Sequence, residues 1–340
     1  MPIFVTGGTG FLGINLVRHL VSQGHLVRLL VRPHSGRVGL DSDLIEFVQG
    51  DVTDSESVRS AMRGCDRVYH LAGWVQVSPW GMDEARRVNV EGTRNACSAA
   101  LRVGVQRLVH TSSIATIAAG TLENPADETS PWNLGEIRIP YYRTKWEAER
   151  VVLDFVQQGL DAVITNPGYL VGPWDVKPSA GRILIQAAMG RLRAIPNRGG
   201  INFLDVREAA AGLVHAMERG RTGERYFLGG ENLSFRSYCR LAAEMVGVKA
   251  GDLPLPYAAL FPMAAAGSIL GRLAPRLFRD INLCVLHSAF LEHYATSRKA
   301  CAELGFKEVP VEQAIVDAID WFIRYGYMPQ VQRRRVAPIR

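Results

Sequence analysis

Three residues in the middle of the chain have the types and the spacing that proton transfer requires. Tyr141 and Lys145 are four residues apart in a segment with helical spacing, 141–157, so they lie on one face of the predicted helix. That is the geometry needed by a tyrosine base with a cationic helper. A predicted strand, 107–113, ends in hydroxyl residues that include Ser113.

A glycine-rich sequence near the start of the chain predicts a phosphate-binding turn. It follows an apolar run and leads into a segment whose apolar residues recur at helical spacing, 11–21. In a dinucleotide site Gly7 forms the tight turn, Gly10 lets the backbone approach the pyrophosphate, and Gly13 lets the helix pack on the strand. The phosphates then bind to the unpaired amides and the positive dipole end of the helix. A plain turn between strand and helix is the alternative. The residues predicted to bind the cofactor here are Thr6, Gly7, Gly10, Phe11, Leu12 and Gly13.

The segments after this turn alternate between apolar runs and helical spacing. The predicted strands are 26–31, 44–49, 67–71, 107–113 and 162–165, and the predicted helices are 55–63, 83–103, 141–157, 183–189, 206–219, 234–246 and 311–325. Such alternation predicts an α/β fold with a doubly wound parallel sheet, the Rossmann fold, whose site lies at the carboxyl ends of the strands. We expect residues 1–165 to form this dinucleotide-binding domain, with some later segments returning to it. Residues 166–328 are expected to form mainly a smaller, mixed substrate-binding domain, and residues 329–340 a basic tail.

The end of the second predicted strand indicates which nicotinamide cofactor is bound. NAD enzymes usually place Asp or Glu there to bind the ribose hydroxyls, whereas the 2′-phosphate of NADP requires a cation. This chain has Arg32 there and no acidic residue before Asp41, which favours NADP(H) over NAD(H). The alternative is that Arg32 is a solvated loop charge. Two further segments are predicted to line the cofactor. Asp51 and Val52 would lie at the adenine, and Leu71, Ala72 and Gly73 form a segment whose small residues would let the cofactor pass closely.

Composition limits the class of protein. The chain has 340 residues, of which 47% are hydrophobic, and a formal net charge of +6 that is spread along the sequence. This charge fits an anionic cofactor or substrate and does not require nucleic acid. The five cysteines are far apart and form no CxxC pair, which indicates reduced thiols in a cytoplasmic protein. The eight histidines have no metal-ligand spacing, so no metal site is expected.

One apolar stretch, 258–274, bears on membrane contact. Pro262 and Arg272 interrupt it, and it is shorter than the about 20 residues that a membrane span requires. We therefore expect no integral membrane span and interpret the stretch as a buried or substrate-covering helix, with contact to a membrane surface as a less favoured alternative. No signal peptide is expected, because the glycine turn begins at Thr6.

Taken in order, these motifs resemble the extended short-chain dehydrogenase/reductase family, also called the NAD-dependent epimerase/dehydratase family. The matching sequences are Thr6 to Gly13, Gly50 to Asp51, His70 to Gly73, Asn89, Thr111 to Ser113, Tyr141 with Lys145, and Asn166 to Pro173. Two C-terminal segments, 223–232 and 297–306, are also similar to this family. Among its branches the chain is most similar to the dihydroflavonol 4-reductase-like group and the hopanoid-associated sugar epimerase-like proteins.

The resemblance implies interconversion of a carbonyl and an alcohol. Tyr141 would transfer the proton, and Lys145 together with the nicotinamide ring would lower the pKa of its phenol. Ser113 would bond the substrate oxygen. Neighbouring strand residues point to opposite faces, so the residues alone leave Ser112 as an alternative. The register of the family favours Ser113. Asn89 would order water near the lysine, which would also bind the nicotinamide ribose. The resemblance adds to the cofactor-binding residues Thr111, Tyr141, Lys145, Pro167 and Gly168.

Two departures from the family's pattern narrow the expected reaction. Nucleotide-sugar dehydratases carry an Asp-Glu pair after the catalytic hydroxyl, where this chain has Ile114 and Ala115. Ile201 stands where many sugar epimerases have a diphosphate-binding arginine. We therefore expect an NADP(H)-preferring reductase of a ketone or aldehyde in a small, fairly apolar molecule. The alternatives are a nucleotide-sugar or sugar epimerase with tightly held NAD, and a non-catalytic NADPH-sensing regulatory protein. The family also implies a homodimer through helices 83–103 and 141–157.

Overall fold

A computed structural model describes residues 1–178, 180–251, 253–274, 277–278 and 280–330. From residue 331 on, the predicted basic tail lies outside the described residues. The strands are β1 (Ile3–Thr6), β2 (Val27–Val31), β3 (Ile45–Gln49), β4 (Arg67–His70), β5 (Arg107–Thr111), β6 (Ala162–Pro167), β7 (Tyr169–Val171), β8 (Ala194–Pro196), β9 (Gly200–Asp205), β10 (Arg225–Leu228), β11 (Glu231–Ser234), β12 (Leu253–Leu255) and β13 (Glu292–His293). The helices are α1 (Phe11–Ser22), α2 (Ser55–Met62), α3 (Met82–Arg86), α4 (Gly92–Val103), α5 (Pro140–Gln157), α6 (Gly181–Ala188), α7 (Val206–Arg219), α8 (Phe235–Met245), α9 (Tyr257–Leu270), α10 (Leu283–Phe290), α11 (Arg298–Leu304) and α12 (Glu312–Arg324). A π-helical segment, Arg87–Glu91, joins α3 to α4, and a 3₁₀ turn, Ile114–Thr116, follows β5.

The main sheet has seven parallel strands in the order β10, β6, β5, β4, β1, β2, β3. The strand order reverses between β1 and β4, which is where ligands bind in open α/β sheets. Thr6 is aligned with Leu30 on one side and His70 on the other, and Thr111 is aligned with Thr165. The carboxyl ends of these strands therefore lie along one edge. The α/β doubly wound fold predicted from the sequence is confirmed.

Apolar residues on both faces of this sheet explain why helices cover both sides. Strand β1 is completely buried, and its alternate residues belong to different layers because side chains of a strand point in turn to opposite faces. Ile3 and Val5 pack with residues of α1 and α7, whereas Phe4 packs with residues of α2 and α4. Strands buried on both faces are typical of parallel sheets.

A smaller mixed sheet follows in the second half of the chain. Its central strand, β9, pairs in parallel with β7 and β13 and antiparallel with β11, and a separate parallel pair joins β8 to β12. Helices α6, α8 and α12 share an apolar core with this sheet. Between β9 and β11 the chain returns to the main sheet through α7 and β10, so the two halves of the fold are connected more than once.

Most predicted boundaries differ from the structure by one or two residues, and three of the differences affect the candidate site. The predicted helix 83–103 is divided by the π-helical segment. The predicted strand 107–113 ends at Thr111, so Ser113 lies beyond the sheet and begins the 3₁₀ turn. The predicted strand 162–165 continues to Pro167. An apolar pattern reports where side chains are buried, whereas an element ends where its backbone hydrogen bonds change.

The apolar stretch 258–274 is not buried as expected. It forms helix α9, in which only Ala264 and Gly267 are buried. No helix among the described residues combines the length and the apolarity needed to cross a membrane.

Candidate active site

The residues predicted to bind the cofactor come together along the carboxyl edge of the main sheet. Thr6 ends β1, Arg32 follows β2, Asp51 and Val52 lie just after β3, Leu71 to Gly73 follow β4, Thr111 ends β5, Pro167 ends β6 and Gly168 follows it. Phe11, Leu12 and Gly13 open helix α1. Because the sheet order places these strands side by side, the set forms one continuous edge from β3 to β6.

The glycine turn is packed too closely for side chains at two positions. Gly7 has a left-handed φ of 71°, and a Cβ there would lie 2.5 Å from the amide nitrogen of Ala72. A Cβ on Gly13 would collide with the carbonyl oxygen of Gly7, so α1 packs directly on the turn. Gly10 precedes α1 and has no side chain to cap its first turn. The uncapped amides at the start of α1 fit a pyrophosphate.

A buried hydrogen-bond chain holds the loop that follows β4. Thr6 Oγ1 accepts the amide of Ala72 at 3.2 Å and lies 2.8 Å from His70 Nδ1. His70 Nε2 lies 3.1 Å from Thr93 Oγ1, which donates to the carbonyl oxygen of Asn89 at 2.6 Å. Since Thr93 donates its only proton to that carbonyl, it accepts from Nε2, and Nδ1 accepts from Thr6. Burial lowers the pKa of His70 to about 3, so the ring is neutral at neutral pH and serves to position the loop.

Ser113, Tyr141 and Lys145 meet at the carboxyl end of β5. The hydroxyl of Ser113 accepts the amide of Ala115 at 3.2 Å and lies close enough to the phenol of Tyr141 to lower the pKa of that phenol. One turn farther along α5, Lys145 Nζ donates to the carbonyl oxygen of Thr111 at 2.7 Å. The buried Thr111 hydroxyl has no hydrogen-bond partner within the described part of the chain. This buried hydroxyl, on the residue whose carbonyl the lysine binds, is available to a polar group of a cofactor.

Burial dominates the pKa of both titratable groups at this point. It raises the pKa of Tyr141 to about 12, with the hydrogen bond from Ser113 opposing the shift. It lowers the pKa of Lys145 to about 8, with the negative charge of Glu149 opposing the shift. The groups that the chain itself supplies do not lower the phenol pKa, because desolvation of the phenolate outweighs them. The lowering expected from Lys145 together with the nicotinamide ring stays a prediction. At neutral pH the phenol is protonated and can act as an acid.

Asn89 is buried in the π-helical segment and connects the loop after β4 to helix α5. Its Oδ1 accepts the amide of Trp74 at 2.6 Å, and its Nδ2 donates to the Trp74 carbonyl at 3.1 Å and to Thr144 Oγ1 at 2.9 Å. A Cβ on Gly73 would lie 3.3 Å from Asn89 Oδ1 and 3.7 Å from Lys145 Nζ. A side chain at position 73 would therefore contact both groups. The role of Asn89 in ordering water stays a prediction.

A buried carboxylate that the sequence analysis missed lies one turn beyond the lysine. Glu149 Oε1 accepts from Thr116 Oγ1 at 2.6 Å and from Asn166 Nδ2 at 2.7 Å. Its Oε2 lies 3.0 Å from Nε of Arg225 in β10. Because Glu149 follows Lys145 by four residues, it shares the same helix face, and this spacing was the signal available in the sequence.

The two serines are expected to differ in their effect on catalysis. Replacing Ser113 by Ala should lower kcat of carbonyl and alcohol interconversion by about 10²-fold, the typical cost of removing one hydrogen bond to a reacting oxygen. Ser112→Ala should change kcat by less than about three-fold, because Ser112 Oγ lies 3.3 Å from Thr116 Oγ1 and is held by that residue. Steady-state kinetics of both variants measure the difference. Equal losses in the two variants would contradict the assignment of Ser113.

Comparison with known proteins extends the match beyond the site. Residues 3–229 match the family described as the NAD dependent epimerase/dehydratase family. A Synechocystis sp. protein provisionally named a dihydroflavonol 4-reductase is 37% identical over 332 residues, which cover 96% of this chain and 95% of that protein. Sterol demethylase protein B of Methylococcus capsulatus is 34% identical over 331 residues, covering 96% of this chain and 99% of that protein. The crystal structure of gox2253 has a TM-score of 0.84 and 35% sequence identity, and covers 96% of this chain and 99% of its own.

These similarities extend over nearly the whole chain, and the family match includes the glycine turn, Ser113, Tyr141 and Lys145. The fold, the site residues and the relatives thus all indicate the same family. The chain belongs to the NAD dependent epimerase/dehydratase family, the extended short-chain dehydrogenases/reductases, and is an NAD(P)-dependent oxidoreductase.

Proposed function

We propose that this protein is an NADP(H)-dependent reductase that converts a ketone or aldehyde of a small, fairly apolar molecule into an alcohol. The observation that carries the proposal is the placement of the Ser113 hydroxyl beside the buried phenol of Tyr141, with Lys145 one turn away on the same helix. Two hydroxyl groups at one point can both bind a carbonyl oxygen, and the phenol can protonate it.

The residues of the chain act on the substrate oxygen and on its proton. Ser113 donates a hydrogen bond to the carbonyl oxygen as it gains negative charge, and Tyr141 donates its proton to the same oxygen. NADPH, when bound, supplies the hydride. Lys145 carries a positive charge below its pKa of about 8 and stabilises the phenolate that forms on Tyr141.

An apolar cluster beside the site supports a substrate with little charge. The cluster consists of the buried residues Ala115, Leu134, Ile139, Tyr142 and Cys284, against which Tyr141 and Trp132 pack. In the second sheet, Ile201 takes the position in β9 where a diphosphate-binding arginine is expected in many epimerases. The names of the two relatives refer to a dihydroflavonol reductase and to a sterol, which supports both reduction and an apolar substrate.

Reduction is tested by incubating the purified protein with NADPH and a panel of apolar ketones and aldehydes while NADPH absorbance is followed. Consumption of one NADPH for each alcohol formed would support the proposal. Interconversion of a nucleotide sugar by a protein that retains NAD, with no net change in cofactor, would show an epimerase instead. Tight NADPH binding without turnover of any substrate in the panel would favour a sensor.

Arg32 is expected to determine the cofactor preference. Arg32 is exposed after β2 and lies near Asp51. Burial raises the pKa of the Asp51 carboxyl, but hydrogen bonds from Thr53 and the charge of Arg32 outweigh burial, so the pKa is lowered. Arg32→Ala should weaken NADPH binding by about ten-fold or more, the value of a charge-assisted hydrogen bond, and leave NADH binding within about two-fold. Calorimetric titration with each cofactor measures the effect. A matched control is Arg59→Ala, since Arg59 is bonded to Glu56 on α2; equal weakening of NADPH and NADH by Arg32→Ala would contradict the prediction.

We also propose a cytoplasmic homodimer that associates through α4 and α5. These two helices pack side by side on one face of the main sheet, as a shared interface requires. In an isologous dimer the two pairs would form a four-helix contact. In this arrangement residues 1–165, with α7 and β10, would bind the cofactor, and most of residues 166–328 would bind the substrate.

A further inference from the structure

Helix α9 is apolar around its whole circumference and yet lies on the surface. Its only polar side chains are Tyr257 and Ser268, and a helix of this kind is normally buried in a core or a membrane. In this protein Phe261 is 43% exposed, Met263 54% and Ile269 66%. The helix therefore lacks the cover that its composition requires.

The exposed apolar surface continues beyond the helix. Leu270 is 47% exposed, and Leu273 and Leu277, in the segment that follows, are 89% and 78% exposed. More than half of the large apolar side chains that are exposed in the described ranges lie between residues 253 and 281. Contiguous apolar surface of this kind marks an interaction site. We call Phe261, Met263, Ile269, Leu270, Leu273 and Leu277 the apolar patch.

The apolar patch adjoins the loop that leads to the candidate active site. At the end of α9, a Cβ on Gly271 would collide with the ring of Trp80. Trp80 belongs to the loop after Gly73, and in the same loop Val75 is 61% exposed. On the other side, Ser268 Oγ accepts the amide of Leu283 at the start of α10, a helix whose Cys284 packs in the apolar cluster beside Tyr141. The apolar patch is thus continuous with the wall of the site.

Exposed arginines lie within this surface and near the strand that leads into it. Arg193 and Arg198 flank strand β8, which pairs with β12, whose first residue, Leu253, is 62% exposed. Arg272 is exposed directly between Leu270 and Leu273. Among the described residues of the segment after α9, the acidic Asp280 is paired with Arg182 at 2.6 Å. Exposed apolar side chains with arginines among and near them fit a surface that is apolar inside and anionic at its boundary.

We propose that the apolar patch docks this protein onto an anionic lipid bilayer, with α9 lying in the plane of the interface. A helix of 14 residues is only about 21 Å long, short of the about 30 Å of the hydrocarbon core, so it cannot cross it. A second copy of the chain fits less well, because an isologous contact would place the arginines of one border against those of the other. Docked in this way, the protein presents the loop beside Tyr141 to the bilayer, and a lipid-soluble substrate reaches the site without crossing water. The docking itself does not depend on the reaction proposed above.

The test is co-sedimentation of the full chain with vesicles of phosphatidylcholine alone and of phosphatidylcholine mixed with phosphatidylglycerol. We expect binding to the anionic vesicles that is at least about ten-fold stronger than to the neutral ones and that weakens with added salt. Leu273→Glu combined with Leu277→Glu should lower the partition coefficient by about ten-fold or more, because charges replace methyl groups that enter the bilayer on docking. Melting temperature and cofactor binding of the variant should stay unchanged, since neither side chain is buried.

A double variant on other surfaces provides the control. Leu26 and Leu122 are 51% and 58% exposed outside the apolar patch, so Leu26→Glu with Leu122→Glu should leave vesicle binding unchanged. Failure of the wild-type protein to bind anionic vesicles at low salt would overturn the proposal. So would equal loss of binding in both double variants. Sedimentation velocity without lipid is the last measurement: an oligomer that dissociates only in the Leu273/Leu277 variant would assign the apolar patch to self-association and overturn membrane docking.

Discussion

Tyr141→Phe is expected to lower kcat of carbonyl reduction by about 10² to 10⁴-fold, the range that general acid catalysis supplies. The phenol has a pKa raised to about 12 by burial, so it is protonated at neutral pH and is the acid that Ser113 holds in place. Phenylalanine keeps the ring and its packing but has no proton to give. The Kd of NADPH should change by less than about three-fold, because only one hydroxyl is lost. Steady-state kinetics and cofactor titration measure the two quantities.

The neighbouring tyrosine gives this experiment a matched control. Tyr142 is buried in the apolar cluster and has the same side chain, but it is not four residues from Lys145. Tyr142→Phe should keep kcat within about three-fold of the wild type, since burial of its ring is unchanged. If Tyr141→Phe retained wild-type turnover, the proposed acid would be excluded; if both variants lost activity equally, packing of the helix and not proton transfer would explain the loss.

Lys145→Met is expected to abolish most turnover and at the same time to stabilise the fold at neutral pH. Burial lowers the pKa of Lys145 from 10.5 to about 8, which corresponds to roughly 3 kcal/mol by which the folded state disfavours the charged lysine. Loss of the hydrogen bond to the Thr111 carbonyl offsets about 1 to 2 kcal/mol of the gain. The free energy of unfolding at neutral pH should therefore rise by about 1 to 2 kcal/mol.

The pH dependence of stability tests this prediction directly. Since the folded-state pKa is lowered, the folded chain binds fewer protons than the unfolded chain between about pH 8 and 10.5. The wild type should gain stability from this group as the pH rises through that window, and the penalty is fully present below about pH 8. The advantage of Lys145→Met should therefore disappear within this window, and near pH 10.5 the lost hydrogen bond should leave the variant the less stable protein. Urea unfolding of both proteins at neutral pH and near pH 10.5 measures it; a variant less stable than the wild type at neutral pH would contradict the burial argument.

The glycine turn and the Tyr141–Lys145 spacing could be predicted because each depends on residues close together in the chain. A left-handed turn at Gly7 and the approach of Gly13 to the Gly7 carbonyl are local geometry, and a four-residue spacing places two side chains on one helix face in any context. The alternation of strands and helices likewise follows from side-chain periodicity, which is why the fold class could be predicted.

Helix α9 shows the limit of composition as a guide. Its apolar residues predict burial, but whether a partner element covers them depends on where the rest of the chain packs. The π-helical segment around Asn89 is a similar case, since contacts with Trp74 and Thr144 hold the side chain there. Neither partner is adjacent to Asn89 in sequence.

The amino-acid sequence by itself was enough to predict the doubly wound sheet, and it supplied the candidates for the phosphate turn and for proton transfer. Only the tertiary structure showed that Ser113 lies beside the Tyr141 phenol while Ser112 faces Thr116, and that burial raises the phenol pKa. It also decided that a buried Glu149, paired with Arg225 of a distant strand, opposes the lowered pKa of Lys145. The physical reason is that residue types and spacing set local conformation, whereas desolvation and electrostatic pairing depend on which distant segments exclude water from a group.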